Sequence, residues 1–300
     1  MSTKKKQIVL PVITAFIWGC AFVAQKSGAE NVGAFTFTWM RYLLAGLVLL
    51  AFLALRTKRD GRTLHEVFAG ALPSGVVMGT LLMVASNLQQ YGMNTTTASK
   101  AGFVTTLYIV IVPLLGLFFH KRVRALVWCG VAVAVAGLYL LSFAEGGTPS
   151  FNEGDLYVLG CALVFSIHIL AIDHYTKFYE GVVLACLQFF VAAAESLVPA
   201  LLFEGFSAPA ILDCALPILY AGIISGGVGY TLQIVAQKDG DPTVVSLLLS
   251  LESLFAVVSG ALLLHERLSP REYLGCALML CAVVLVQLPE KKQRRRKKVR

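Results

Sequence analysis

The passages ALPSGVVMGTLLMVASNLQQYG (71–92) and ALPILYAGIISGGVGYTLQIVA (215–236) are two versions of one text. Ala71-Leu72-Pro73 recurs as Ala215-Leu216-Pro217, and Leu88-Gln89 recurs as Leu232-Gln233, each displaced by 144 residues. Farther along, His120, Arg122 and Gly130 recur as His265, Arg267 and Gly275, displaced by 145. A displacement of nearly half the 300-residue length divides the chain into residues 1–145 and 146–289, with a single-residue slip between the copies and a remainder at 290–300.

Both passages are apolar, and so is most of the chain. Hydrophobic residues make up 57% and charged residues 14%, against about 25% charged in an ordinary soluble domain. That composition belongs in lipid. Ten apolar stretches can be drawn, near 8–25, 34–55, 68–92, 98–119, 125–143, 155–173, 181–203, 214–236, 243–264 and 270–288. Each approaches the ~20 residues with which a helix crosses a ~30 Å hydrocarbon core. The runs are continuous, whereas the strands of a membrane barrel alternate lipid-facing and lumen-facing residues. The expected fold is therefore an all-α integral membrane protein, ten transmembrane helices arranged as two five-helix repeats. An odd number of spans sends the second copy into the bilayer from the opposite side, and inverted repeats are the sequence signature of secondary carriers.

Orientation is read from the basic residues, whose excess lies on the cytoplasmic side. With the N-terminus inside, 20 of the 25 lysines and arginines fall on the inner side, among them Lys4 to Lys6, Arg56 to Arg62, Lys121 to Arg124, and eight after Pro289. Lys26, Lys100, Arg267 and Arg271 fall outside, and Arg41 lies within a span. Both termini are expected in the cytoplasm, and the membrane is expected to be the plasma (inner) membrane. The net charge of +8 is thus a topology signal. Its largest block, residues 291–300, is read as a tail near anionic lipid headgroups, which attract cations at ~1 kcal/mol each; no nucleic-acid partner is expected. The seven cysteines show no CxxC or Cys/His ligand spacing, so neither a metal nor a disulfide framework is indicated. Lys4 to Lys6 before an apolar run imitates a signal peptide, but span 1 is needed as the counterpart of span 6.

Several short motifs, taken in order, resemble a known family. They are Trp18-Gly19, Leu88-Gln89-Gln90-Tyr91-Gly92, Thr97-Ala98-Ser99-Lys100-Ala101, Leu107-Tyr108 through Pro113, Asp241-Pro242-Thr243, Ser250-Leu251-Glu252 and Leu264-His265-Glu266-Arg267-Leu268. Together they look like an EamA-type transporter of the drug/metabolite transporter superfamily. Lys121 departs from the pattern, standing where the first repeat often has Glu and where the second has Glu266. The resemblance implies two inverted five-helix bundles that move small organic metabolites, often amino acids or related compounds, by alternating access and frequently outward, with no cofactor. The cargo itself has to be argued from the site.

Charged and polar residues inside spans are the site candidates, because a charge at the bilayer centre costs at least ~2.5–3.5 kcal/mol. Glu252 stands about ten residues into span 9, which at 1.5 Å per residue is a depth of ~15 Å, the midplane. It is a candidate for cargo or a coupling proton, or for a protonated interhelical hydrogen bond. Arg41 in span 2 and Glu195 in span 7 share a depth of ~10–12 Å on equivalent helices, so an ion pair between them is expected, as an outer gate, a zwitterion site or a structural pair. His168 in span 6 is either a packed, hydrogen-bonded histidine or, given the ~6.5 intrinsic pKa of an imidazole, a proton carrier. Gln89, Gln188 and Gln233, with Tyr108 and Trp18, supply neutral hydrogen bonds and a stacking face, or interhelical glue. Gly75-x-x-x-Gly79 and Gly222-x-x-x-Gly226 permit close helix approach, and Pro11, Pro73, Pro113 and Pro217 are expected to kink spans.

Other classes fit less well. An intramembrane enzyme needs a nucleophile with its base or a metal set, and the chain has neither GxSxG nor HExxH, since His265-Glu266 lacks the second His. A channel needs a filter-like loop, and a scaffold or receptor needs loops larger than 144–154, the longest expected here.

The charge bias makes a direct prediction for cysteine labelling of intact cells with an impermeant reagent. Ser150→Cys should react, and Arg59→Cys and Lys297→Cys should not. The reverse pattern would overturn the topology together with the inverted-repeat reading.

Overall fold

The computed structural model describes residues 3–96, 98–118, 123–142, 152–205, 207–238, 240–263 and 269–288. Lys121, the His265-to-Leu268 turn and the basic tail lie outside these. Among the described residues the regular structure is helical: α1 (Thr3–Asn31), α2 (Ala34–Arg59), α3 (Leu64–Phe68), α4 (Leu72–Gly92), α5 (Ala98–Thr106), α6 (Tyr108–Phe118), α7 (Ala125–Ser142), α8 (Glu153–Tyr175), α9 (Gly181–Phe203), α10 (Ala208–Asp213), α11 (Ala215–Leu219), a π-helical segment (Tyr220–Tyr230) continued by α12 (Thr231–Gln237), α13 (Pro242–Leu249), α14 (Leu251–Leu263) and α15 (Pro270–Gln287). Helices are what lipid requires, because each backbone polar group must find its partner within the segment.

Eight described helical stretches are long and apolar enough to cross a membrane. The other two expected spans are the 18-residue helices α7 and α15, which are apolar and pack along one another. Large apolar side chains such as Phe16, Phe52, Leu163, Leu201 and Leu280 are exposed around the outside, a surface suited to lipid and unsuited to water.

Two expected spans are broken. The span 98–119 divides into α5 and α6 at Leu107, and 243–264 divides into α13 and α14 at Ser250. A hydroxyl bonds back to the chain at each break: Thr106 Oγ1 to the Gly102 and Phe103 carbonyls at 2.9 Å each, and Ser250 Oγ to Leu247 O at 2.7 Å. Such back-bonding competes with the helical ladder and bends it. Thr106 and Ser250 are themselves 144 residues apart, so the break is duplicated with the sequence.

The most extensive packing joins α7 to α15, α2 to α9, α4 to α8 and α9, the π segment to α1 and α2, and α1 to α14. α2 and α9 run antiparallel and are tied at both ends. Arg56 pairs with Glu180 at one end, and at the other the Glu204 carboxylate accepts from Phe35 N at 3.0 Å and Thr36 N at 2.8 Å, where it meets the positive end of the α2 dipole. Pro11 and Pro113 do lie inside helices. Pro73 does not kink a span; it stands in the first turn of α4, where a missing N–H leaves no broken bond, and Pro217 likewise falls in the opening turn of α11.

Close approach at glycine holds as expected. A Cβ at Gly75 or Gly79 would lie 2.5 Å from the Cβ of Leu187 or Val191, and one at Gly222 would lie 2.9 Å from the Arg41 carbonyl. Gly19 faces backbone directly: a Cβ there would stand 2.7 Å from Glu252 O and 2.8 Å from Ala256 N. Gly19→Val should therefore lower thermal stability in detergent by at least the ~1–3 kcal/mol typical of overpacking, while Gly205→Ala, which meets nothing within 4 Å, should be close to neutral. Equal stability of the two variants would contradict the α1–α14 packing.

Candidate functional site

Two apolar cores flank the middle of the bundle. One gathers Ile109, Leu138, Leu247 and Met279 from α6, α7, α13 and α15, the other Tyr42, Met78, Phe189 and Ile234 from α2, α4, α9 and α12. Trp18 packs against both. Between them lies a narrow cavity of about 40 Å³, space for a few waters and far below the ~300 Å³ at which ligand pockets begin.

Six of the nine candidate residues line it: Trp18, Arg41, Gln89, Tyr108, Gln233 and Glu252. The two helix breaks deliver the central pair. Tyr108 opens α6 and Glu252 stands in the first turn of α14, and the Tyr108 hydroxyl donates to Glu252 Oε1 at 3.0 Å. Glu252 is 3% exposed, and among the described residues no cation pairs with it. Just beside it Thr106, the last residue of α5, and Ser253 of α14 meet at 3.2 Å, so the first helical piece of one broken span is joined to the second piece of the other.

Arg41, 5% exposed, donates from Nη1 to Gln25 Oε1 at 3.0 Å and lies over the Tyr42 ring at 4.7 Å. Its Nε is buried with no partner. Gln89 donates to Thr105 Oγ1 at 3.0 Å, and Trp18 Nε1 donates to the Ser225 carbonyl of the π segment at 3.2 Å. Gln233 keeps an unpartnered Oε1. The cavity therefore presents one guanidinium, one carboxyl group and the three amides of Gln25, Gln89 and Gln233, and the guanidinium and the carboxyl group are each held by a neutral neighbour.

The expected Arg41–Glu195 pair is not formed. Arg41 faces α1, whereas Glu195 faces α4 and accepts from Thr80 Oγ1 at 2.7 Å. Equal depth on packed helices did not place the two side chains on the shared face. His168 and Gln188 bond each other at 3.0 Å and stand outside the cavity. Sequence reasoning missed Gln25, Thr105 and Tyr230, which also line it. Gln25 had been placed at the very end of span 1; α1 continues to Asn31, which draws the glutamine well inside.

A multi-pass helical membrane protein with a charge-bearing cavity in its centre has the architecture of a solute transporter. The profile of the EamA-like transporter family matches residues 5–143 and 152–288, and the chain belongs to that family. An uncharacterized transporter from Archaeoglobus fulgidus is 30% identical, covering 92% of this chain and 84% of its own. The uncharacterized inner membrane transporter YedA of Escherichia coli is 25% identical over 91% of this chain and 87% of its own. A chloroplastic WAT1-related protein of Arabidopsis thaliana is 25% identical over 92% and 68%. One solved crystal structure superposes with a TM-score of 0.80 at 19% identity, covering 94% of this chain and 96% of its own; it supports the fold alone.

The Thr80–Glu195 contact predicts its own double-mutant cycle. Thr80→Ala and Glu195→Ala should couple by at least ~0.5 kcal/mol in thermal stability, while Arg41→Ala and Glu195→Ala should add. Strong coupling in the second cycle and none in the first would restore the ion pair.

Proposed function

We propose that the chain is a secondary carrier that moves small polar organic metabolites, amino acids or related zwitterions above all, across the plasma (inner) membrane by alternating access. The observation that carries this reading is the central cavity, where Arg41 and Glu252 face one space with no ion pair between them. A charge buried in a membrane interior ordinarily pairs. A solute with a carboxylate and an ammonium would satisfy both groups at once, and between cargoes a proton on Glu252 would serve the same end, which makes a proton the proposed coupling ion.

Two features support the inverted arrangement of ten spans in two repeats. α2 and α9, equivalent under the sequence displacement, run antiparallel. The strongest helix contacts also come in equivalent sets: α4 with α8 answers the π segment with α1, and α4 with α9 answers the π segment with α2. A cavity with room for only a few water molecules fits a resting state that must widen to admit cargo. Cytoplasmic termini follow from the basic residues, with the tail against anionic headgroups. Outward transport is assigned on family resemblance.

Export or resistance profiling of a deletion strain against a metabolite panel should give a cargo lost with the gene and restored by the wild-type chain. Glu252→Gln keeps the shape and removes the charge, so it should abolish restoration at normal abundance in the membrane. Full restoration by Glu252→Gln would reduce this residue to interhelical glue.

A further inference from the structure

His168 and Gln188 pair across the first two long helices of the second half as Gln25 and Arg41 pair across those of the first. Arg41 and Gln188 each stand seven residues past the first residue of their helices, α2 and α9. Gln25 and His168 stand six and seven residues before the ends of α1 and α8. In each half, then, a basic nitrogen and a glutamine meet across the first two long helices, at 3.0 Å in both cases. With the halves inverted, the two pairs lie at matching depths from opposite membrane faces.

The pairs differ in what covers them. Arg41 and Gln25 open onto the central cavity, whereas His168 and Gln188 are fully buried. Two cavity-lining rings pack against His168, that of Phe165 at 6.4 Å and that of Tyr230. The Tyr230 ring lies 6.4 Å from the His168 ring and 4.6 Å from Trp18, and Tyr230 itself lines the cavity. Displaced by 144 residues, Tyr230 falls on Ser86, whose hydroxyl is bonded to Tyr42. The first half has a small residue where the second has an aromatic wall.

The hidden pair also keeps hydrogen-bonding capacity in reserve. Because the His168 Nε2 proton is directed at Gln188 Oε1, Nδ1 of the neutral ring is left as an acceptor, and it has no partner. Gln188 Nε2, a donor, has none either. Leaving buried polar atoms unpaired is destabilising by ~1–3 kcal/mol each, and structural glue between helices would be expected to satisfy them. Tyr230 ends the π segment, and π-helical turns are frequent at functional sites.

We propose that His168 and Gln188 form a second solute-contact site, which receives the polar end of the cargo on the opposite side of the membrane from Arg41 and Gln25 once Tyr230 moves aside. The site takes an acceptor oxygen, a carboxylate or an amide carbonyl, on Gln188 Nε2 and an adjacent N–H or O–H on His168 Nδ1. The assignment rests on the carrier reading above, since only a protein that alternates would expose both sites.

Site-directed labelling of the full-length chain tests it, with the seven native cysteines replaced by serine or alanine and the protein reconstituted in oriented vesicles. The probe is sulfonatoethyl methanethiosulfonate, small, anionic and impermeant. Gln25→Cys should react from one face, and Gln188→Cys from the other. Adding Tyr230→Ser to Gln188→Cys should raise its rate several-fold. If Gln25→Cys reacts while Gln188→Cys is inert from both faces, with and without Tyr230→Ser, the second site does not exist and the carrier reading stands. If both positions are inert from both faces, the carrier reading fails as well. Should Gln188→Cys not insert, His168→Cys takes its place with the same outcomes.

Discussion

A carboxyl group in the middle of a hydrocarbon slab must be given a partner, and in this chain the partner is a phenol from the other half. Glu252 and Tyr108 are separated by 144 residues, the displacement of the duplication itself, so their bond joins equivalent positions. Each stands two residues after a hydroxyl side chain that bonds back to the backbone at the break in its span. The breaks place both side chains at the centre of the bundle, and the Thr106–Ser253 contact holds the junction together. Around that point the two apolar cores close, and Trp18 fits between them.

The polar groups around the junction are held and left incomplete. Arg41 has one amide and an aromatic face, Glu252 one phenol, and Gln233 retains a free carbonyl oxygen. In a space of about 40 Å³ only a few waters can complete them. Neutral partners restrain a charge without cancelling it, which leaves the electrostatic driving force available to a solute. Two charges fully spent on each other would have to be separated first, against an interaction that is strong where water is excluded. The separation of Arg41 from Glu252 is on this view what would let the cavity recognise cargo.

Much of this was legible in the sequence, for identifiable reasons. The repeat could be read because Pro73 and Pro217 begin equivalent helices and Leu88-Gln89 and Leu232-Gln233 end them. Glu252 stood out because a charge so deep in an apolar run is rarely accidental. What could not be read was azimuth. Depth along a helix follows from counting, but the face a side chain takes depends on how helices rotate against each other, and this separated Arg41 from Glu195 and joined it to Gln25. The helix breaks at Leu107 and Ser250 were also hidden, since serine and threonine are ordinary in membrane helices and no proline or glycine marks either point. Tyr230 was passed over because an aromatic residue in a span is most often packing; its position opposite Ser86 in the repeat was the available signal.

Charge complementarity at the centre can be measured directly on the purified full-length chain with size-matched solutes. Thermal unfolding in detergent would be followed with a zwitterionic amino acid, its cationic methyl ester, the corresponding deaminated anion and a neutral amide. A ligand that binds only the folded state at a hundred times its dissociation constant stabilises by ~2.7 kcal/mol, a shift well within resolution. If Arg41 and Glu252 recognise opposite ends of one solute, the zwitterion stabilises most, Arg41→Gln removes its advantage over the ester, and Glu252→Gln its advantage over the anion. Equal stabilisation by the neutral amide, unaffected by either substitution, would contradict recognition by the two buried charges.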